Sequence, residues 1–128
     1  MIVDKSVLVA ILLKEPGWQD LLRRLAAAEN SGVGAPTLAE TGIVLTARLG
    51  KDGRRLLAAF VREADLLVIP FVEEHWKAAT EAYGRYGKGR HPAALNFGDC
   101  LTYAVARLSG QPLLCVGDDF RKTDLELA

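Results

Sequence analysis

Short apolar runs alternate along this chain with longer stretches of helical spacing. Met1-Ile-Val3, Leu66 to Pro70 and Pro112 to Val116 are continuous in hydrophobic residues and carry no polar alternation. A strand with no polar face is expected to be covered on both sides. Between these runs the apolar residues recur at three and four positions, as in Trp18, Leu21, Leu22 and Leu25 or Leu56, Leu57, Phe60 and Val61. That spacing puts them on one face of a helix. Buried strands separated by helices imply crossover connections, hence an α/β chain with a short, mainly parallel central sheet and helices on both faces.

Local signals place the elements more closely. Met1 to Asp4 reads as a strand, and Ser6 as the N-cap of a helix from Val7 to Lys14. Pro16 suits the first turn of a second helix, which Asn30 to Gly34 ends. Gly34 to Pro36 reads as extended and leads into a helix from Thr37 to Leu49, closed by Gly50. Further helices are expected over Gly53 to Ala64, Glu73 to Tyr86 and Phe97 to Leu108. A polar loop, Gly87 to Ala94, precedes the last of these, and Gly117-Asp-Asp119 turns out of the final strand.

Bulk properties exclude several classes. The 128 residues suit one domain, 1–128, able to bury a sizeable core. Sixteen basic residues offset sixteen acidic ones, so any attraction to phosphate must be local. The first residues lack the basic start and small-residue cleavage site of a signal peptide, and no stretch approaches the ~20 apolar residues of a membrane span. No membrane partner and a cytoplasmic location are the corresponding expectations. Cys100 and Cys115 form no CxxC pair and are expected as buried free thiols.

In parallel sheets the ligand site lies beyond the carboxyl ends of the strands. Asp4 ends the first strand, and Asp118 and Asp119 follow the last. Glu40 and Asp99 stand three residues after Thr37 and Asn96, in expected first helical turns. Each has an ordinary explanation. Thr37-Leu-Ala-Glu40 has the form of a capping box and Asn96-Phe-Gly-Asp99 resembles one. Asp4 suits a cap, and Gly-Asp-Asp a turn. The apolar surroundings of Asp4 argue for more, because a buried carboxylate is costly unless paired or metal-bound. Several carboxylates held together repel one another, and a hard divalent cation such as Mg²⁺ or Mn²⁺ relieves that repulsion through oxygen ligands.

Ile2-Val-Asp-Lys-Ser6, Ala35-Pro-Thr-Leu-Ala-Glu40, Tyr86-Gly-Lys-Gly-Arg-His-Pro92, Leu95-Asn-Phe-Gly-Asp-Cys100, Gln111-Pro-Leu-Leu114, Gly117-Asp-Asp-Phe120 and Thr123-Asp124 together resemble the PIN-domain ribonucleases. The likeness is specifically to the toxin half of VapBC-type toxin–antitoxin pairs, and it covers nearly the whole chain. The resemblance implies a single PIN-like three-layer α/β/α domain and a Mg²⁺-dependent endoribonuclease in which Mn²⁺ may substitute. It assigns Asp4, Glu40, Asp99 and Asp119 as the acidic catalytic set. Asp4 and Asp99 would be the principal metal ligands, and Asp119 would complete the set with Glu40. Ser6, Asn96, Asp118 and Thr123 would support it. It further implies a VapB-type antitoxin that wraps the toxin, and a homodimer. Lys5 departs from the pattern, which more often has a small or hydroxyl residue there. If the strand continues through it, Lys5 points away from Asp4 and leaves the site intact.

Arg85, Lys88, Arg90 and His91 gather beside Tyr83 and Tyr86 in an otherwise neutral chain, a grouping suited to phosphates and unpaired bases. The plain alternative is a solvated loop whose tyrosines pack in the core. Two other classes fit these residues less well. A phosphate-handling enzyme of the haloacid dehalogenase type wants a second aspartate where Ser6 stands. A catalytically weak PIN-like RNA- or protein-binding module would have lost acidic residues, and all four are present.

Overall fold

The strands of this protein are two or three residues long. In a computed structural model that describes residues 1–128, β1 (Ile2–Val3), β2 (Gly32–Gly34), β3 (Leu67–Ile69) and β4 (Leu113–Leu114) form one sheet. Its order is β3-β2-β1-β4, and every pairing is parallel. The helices are α1 (Lys5–Leu12), α2 (Trp18–Ala27), α3 (Ala35–Leu49), α4 (Lys51–Glu63), α5 (Glu73–Tyr86) and α6 (Phe97–Ser109), and a 3₁₀ turn, η1, spans Phe120–Lys122.

Alternation along the strands builds the layers. Ile2 and Leu113 enter a core with α5 and α6 that includes Ala82, Tyr86, Leu95 and Tyr103. Their neighbours Val3 and Leu114 enter a second core with α1 and α2 that includes Leu8, Ile11, Leu21 and Leu25. A period of two thus sends successive residues into opposite layers. Two fully covered strands need no polar positions, which is why β1 and β4 read as unbroken apolar runs.

Several boundaries differ from the sequence reading. Asp4, not Ser6, is the N-cap of the first helix, which starts at Lys5 and ends at Leu12. Pro16 precedes α2, whose N-cap is Gly17. Helix α3 begins at Ala35 with Pro36 in its first turn, so of Gly34 to Pro36 only Gly34, the end of β2, is extended, and Thr37 is not a cap. Glu40 therefore lies in the second turn. The run around β3 is not covered on both faces: Leu67 is 67% and Val68 44% exposed. Strand β3 ends the sheet order, with a neighbour on one side only. The expected helix Glu73–Tyr86 is present as read.

Candidate acidic active site

Asp4 directly follows β1 and is 6% exposed. Its Oδ2 accepts hydrogen bonds from the Ser6 backbone N–H at 3.0 Å and the Ser6 hydroxyl at 2.6 Å. Its Oδ1 accepts from the Thr102 hydroxyl at 2.9 Å. Each hydroxyl has one hydrogen to give. Ser6 therefore accepts at its Oγ from the Val116 N–H, which ties the segment after β4 to Asp4. By the same reasoning Thr37 donates to Thr102 across their 3.2 Å contact. Three donors from two helices hold the buried carboxylate in one orientation.

Asp99 forms the capping box that its spacing from Asn96 predicts. Its N–H donates to Asn96 Oδ1 at 2.9 Å, and the Asn96 N–H donates to Asp99 Oδ2 at 3.1 Å. This capping box starts α6 and aims the Asp99 carboxylate at the carboxyl end of the sheet. Burial pushes its carboxyl above the usual carboxylate range, and the charges of Asp4 and Asp119 add to that, opposed by the Asn96 N–H and by Lys5. Cys115 feels the same field. Burial, joined by Asp4, Asp119 and Asp99, drives its thiol up to about 11. Both cysteines are free, Cys100 buried and Cys115 half-buried.

Glu40 reaches this cleft from α3. Its carboxylate lies against Gly98, where any side chain would collide with it. Its Oε2 also stands 3.2 Å from Lys5 Nζ. The expectation that Lys5, as a strand residue, points away from the site is overturned. The chain turns helical at Lys5, which swings its side chain toward α3 instead of through the sheet. Asp119 is the N-cap of η1, its side chain accepts no capping hydrogen bond, and it is exposed.

The other sequence candidates separate. Asp118 is exposed and faces Arg121 at 3.7 Å. Thr123 closes a local turn, donating to the Phe120 carbonyl and accepting from the Leu125 N–H. In the Gly87–Ala94 loop, His91 accepts the Ala93 N–H at Nδ1 and sets its ring edgewise on Tyr86. Arg85 donates to the Tyr86 hydroxyl and faces Asp124 at 3.7 Å. Lys88 is exposed, and Arg90 lies 5.5 Å from the Tyr83 ring centre, also exposed. Within that loop the outward-facing pair is thus Lys88 and Arg90. His75 accepts the Val72 N–H at Nδ1 and stacks on Phe71 at the start of α5.

Sequence reasoning missed Thr102, Lys5 and Gly98 as parts of this site. Thr102 carries a local signal, since it stands three residues after Asp99 on the same helix face. Lys5 and Gly98 carry none, because their partner, Glu40, is remote in sequence.

The donor set suits a hard cation. It consists of carboxylate oxygens, and burial, joined by the charges of Asp4 and Asp119, already raises Asp99. No three acidic, thiol or imidazole side chains stand close enough to cage an ion by themselves. Mg²⁺ does not require a cage, because it keeps several waters and takes one or two carboxylates.

Comparison with known proteins agrees with this architecture. The PIN domain family matches residues 1–126. Ribonuclease VapC36 of Mycobacterium tuberculosis is 51% identical over 127 residues, 98% of this chain and 91% of that protein. A Ribonuclease VapC of Mycolicibacterium smegmatis is 42% identical over 98% of this chain and 97% of its own length. Among solved structures, M. tuberculosis VapC20, a toxin that cleaves the sarcin–ricin loop, superposes with a TM-score of 0.82 at 21% identity, covering 99% of this chain and 97% of its own. VapBC2 of Rickettsia felis, solved on a DNA fragment of its promoter, gives 0.77 at 19% identity, covering 99% and 96%. No helix is long and apolar enough to cross a membrane.

Proposed function

This chain belongs to the PIN-domain family, and from that premise we propose that it is a metal-dependent endoribonuclease, the toxin of a type II toxin–antitoxin pair. The observation that carries the reading is the convergence of Asp4, Glu40, Asp99 and Asp119 from four separate elements. Asp99 feels the charges of both Asp4 and Asp119, and Glu40 rests on the residue before it. The relatives named VapC ribonuclease at 42–51% identity support the substrate class. The solved VapBC2 assembly supports a VapB-type antitoxin as partner.

Asp4 and Asp99 would hold a Mg²⁺ or Mn²⁺ ion directly, and Asp119 would complete the site through a bound water. Bound there, the ion would supply an acidified water and polarise a phosphoryl oxygen. The protein's own part begins with Asp4, which Ser6 and Thr102 lock before substrate arrives. A carboxylate fixed in this way needs no reorientation during reaction. Asp119 is the group to accept the proton of the attacking water, because Glu40 is already paired with Lys5. Lys88 and Arg90 take RNA phosphates, with Tyr83 beside them for an unpaired base.

The test is cleavage of a mixed small-RNA pool with Mg²⁺, with Mn²⁺ and with chelator, alongside Asp4→Asn and Asp99→Asn. Cutting should require metal and fall by a hundredfold or more in both variants. Folded, antitoxin-free protein that cuts nothing under either metal would favour a catalytically weak binding module. Cutting that survives both substitutions would place the active centre elsewhere.

A further inference from the structure

Lys5 introduces a positive charge into a cleft otherwise built from carboxylates. Its ammonium stands 3.2 Å from Glu40 Oε2, with both side chains about a third exposed. The pair is fixed from both ends. Lys5 is the first residue of α1, immediately after the locked Asp4. Glu40 is seated on Gly98, one residue from Asp99, where the absence of a side chain leaves room for its carboxylate.

Charge balance then limits what the cleft can take. Four carboxylates and one ammonium leave three formal negative charges. One divalent ion leaves one negative charge, whereas a second would leave one positive charge and would have to take Glu40 from Lys5. Asp4 has both oxygens engaged by protein donors, which leaves it little capacity to bridge two ions. Two-metal nuclease sites place their ions ~4 Å apart to stabilise charge on both sides of the phosphorus. A lysine ammonium is a compact point charge that can serve on one of those sides.

We propose that Lys5 holds the place of a second cation, so that the chain takes one divalent ion, on Asp4, Asp99 and Asp119, while Lys5 keeps Glu40 from recruiting another. This rests on the metal-site reading above and specifies its stoichiometry. It also gives the departure at position 5 a role, since a small or hydroxyl residue there would leave Glu40 available to metal.

The experiment counts bound Mn²⁺ by the loss of the free-ion electron paramagnetic resonance signal, on full-length protein free of antitoxin. The samples are wild type, Lys5→Arg, Lys5→Met, Lys5→Thr and Asp99→Asn, with circular dichroism confirming fold. Wild type and Lys5→Arg should bind one ion. Lys5→Met and Lys5→Thr should bind two, the second at least tenfold more weakly than the first. Two ions on wild type, or one ion on both neutral variants, would overturn the role of Lys5 while leaving the metal site standing. No ion on wild type, or undiminished binding by Asp99→Asn, would overturn the metal site itself and this inference with it.

Discussion

Thr102 donates its hydroxyl hydrogen to Asp4 Oδ1 at 2.9 Å, across 98 residues of sequence. The bond joins the start of α1 to the second turn of α6, and Thr37 of α3 donates onto the same hydroxyl. Three helices are thus tied to one buried carboxylate. Thr102→Val keeps the volume but removes the donor and leaves the Thr37 hydroxyl without its acceptor. A hydrogen bond to a charged group contributes about 1.5–3 kcal/mol. Urea unfolding at neutral pH should show a loss of that size, and cleavage should fall with it. An unchanged midpoint would mean that Ser6 alone holds Asp4.

Two buried or half-buried helix glycines should respond oppositely to alanine. At Gly53 a Cβ would stand 2.5 Å from the Leu45 carbonyl carbon and oxygen, where α4 packs on α3. Backbone cannot step aside, so Gly53→Ala should cost about 1–3 kcal/mol. At Gly98 the obstacle is the tip of the Glu40 side chain, which can swing away. Alanine in a helix is worth about 0.5–1 kcal/mol over glycine. Gly98→Ala should therefore keep or raise the thermal midpoint while cutting cleavage at least tenfold. Full activity in Gly98→Ala would show that the seat of Glu40 is irrelevant to the chemistry.

Asp124 fastens the C-terminal segment to α5 and α6. It accepts from Tyr103 at 2.6 Å and Arg107 at 2.6 Å, and faces Arg85 at 3.7 Å. Burial opposes its ionisation, yet the Tyr103 hydrogen bond and the two arginines outweigh it and hold the carboxyl below its usual value. The stability this brings is present above an unfolded value of ~4 and is lost as pH falls through the folded value. Tyr103 is pushed the other way, up to about 12, by burial and then by Asp124. Its contribution is complete below pH ~10 and lost as pH rises from there toward the folded value. Asp124→Asn should flatten the acid limb of a melting-temperature profile and bring tyrosinate absorbance on at lower pH. Coincident profiles for wild type and variant would remove this cluster from the stability of the protein.

Lys88 and Arg90 project from a loop that is otherwise secured by Tyr86 and His91. Substituting both with alanine should weaken RNA binding and leave the fold intact. For single strands each phosphate contact contributes ~0.7 to the slope of log affinity against log salt. The double variant should lose about one to one and a half units of slope by that measure. An unchanged slope would place the RNA elsewhere.

The sequence by itself determined what local rules govern. The alternation of apolar runs and helical spacing gave the layered parallel sheet, and Asn96 with Asp99 gave the start of α6, because a capping box is complete within one turn. Acidic residues at strand ends pointed to the candidate site, since parallel topology brings those ends together. Tertiary structure decided the rest. The apolar composition of Leu66 to Pro70 could not tell an edge strand from a central one, because exposure depends on which strands lie beside it. The cap reading of Thr37 failed because α3 starts earlier, and its hydroxyl serves Thr102 instead. Lys5 looked harmless while it was read as strand; one residue of helix turned it onto Glu40. Contacts between residues far apart in the chain leave no spacing to read, and only packing fixes which charges meet.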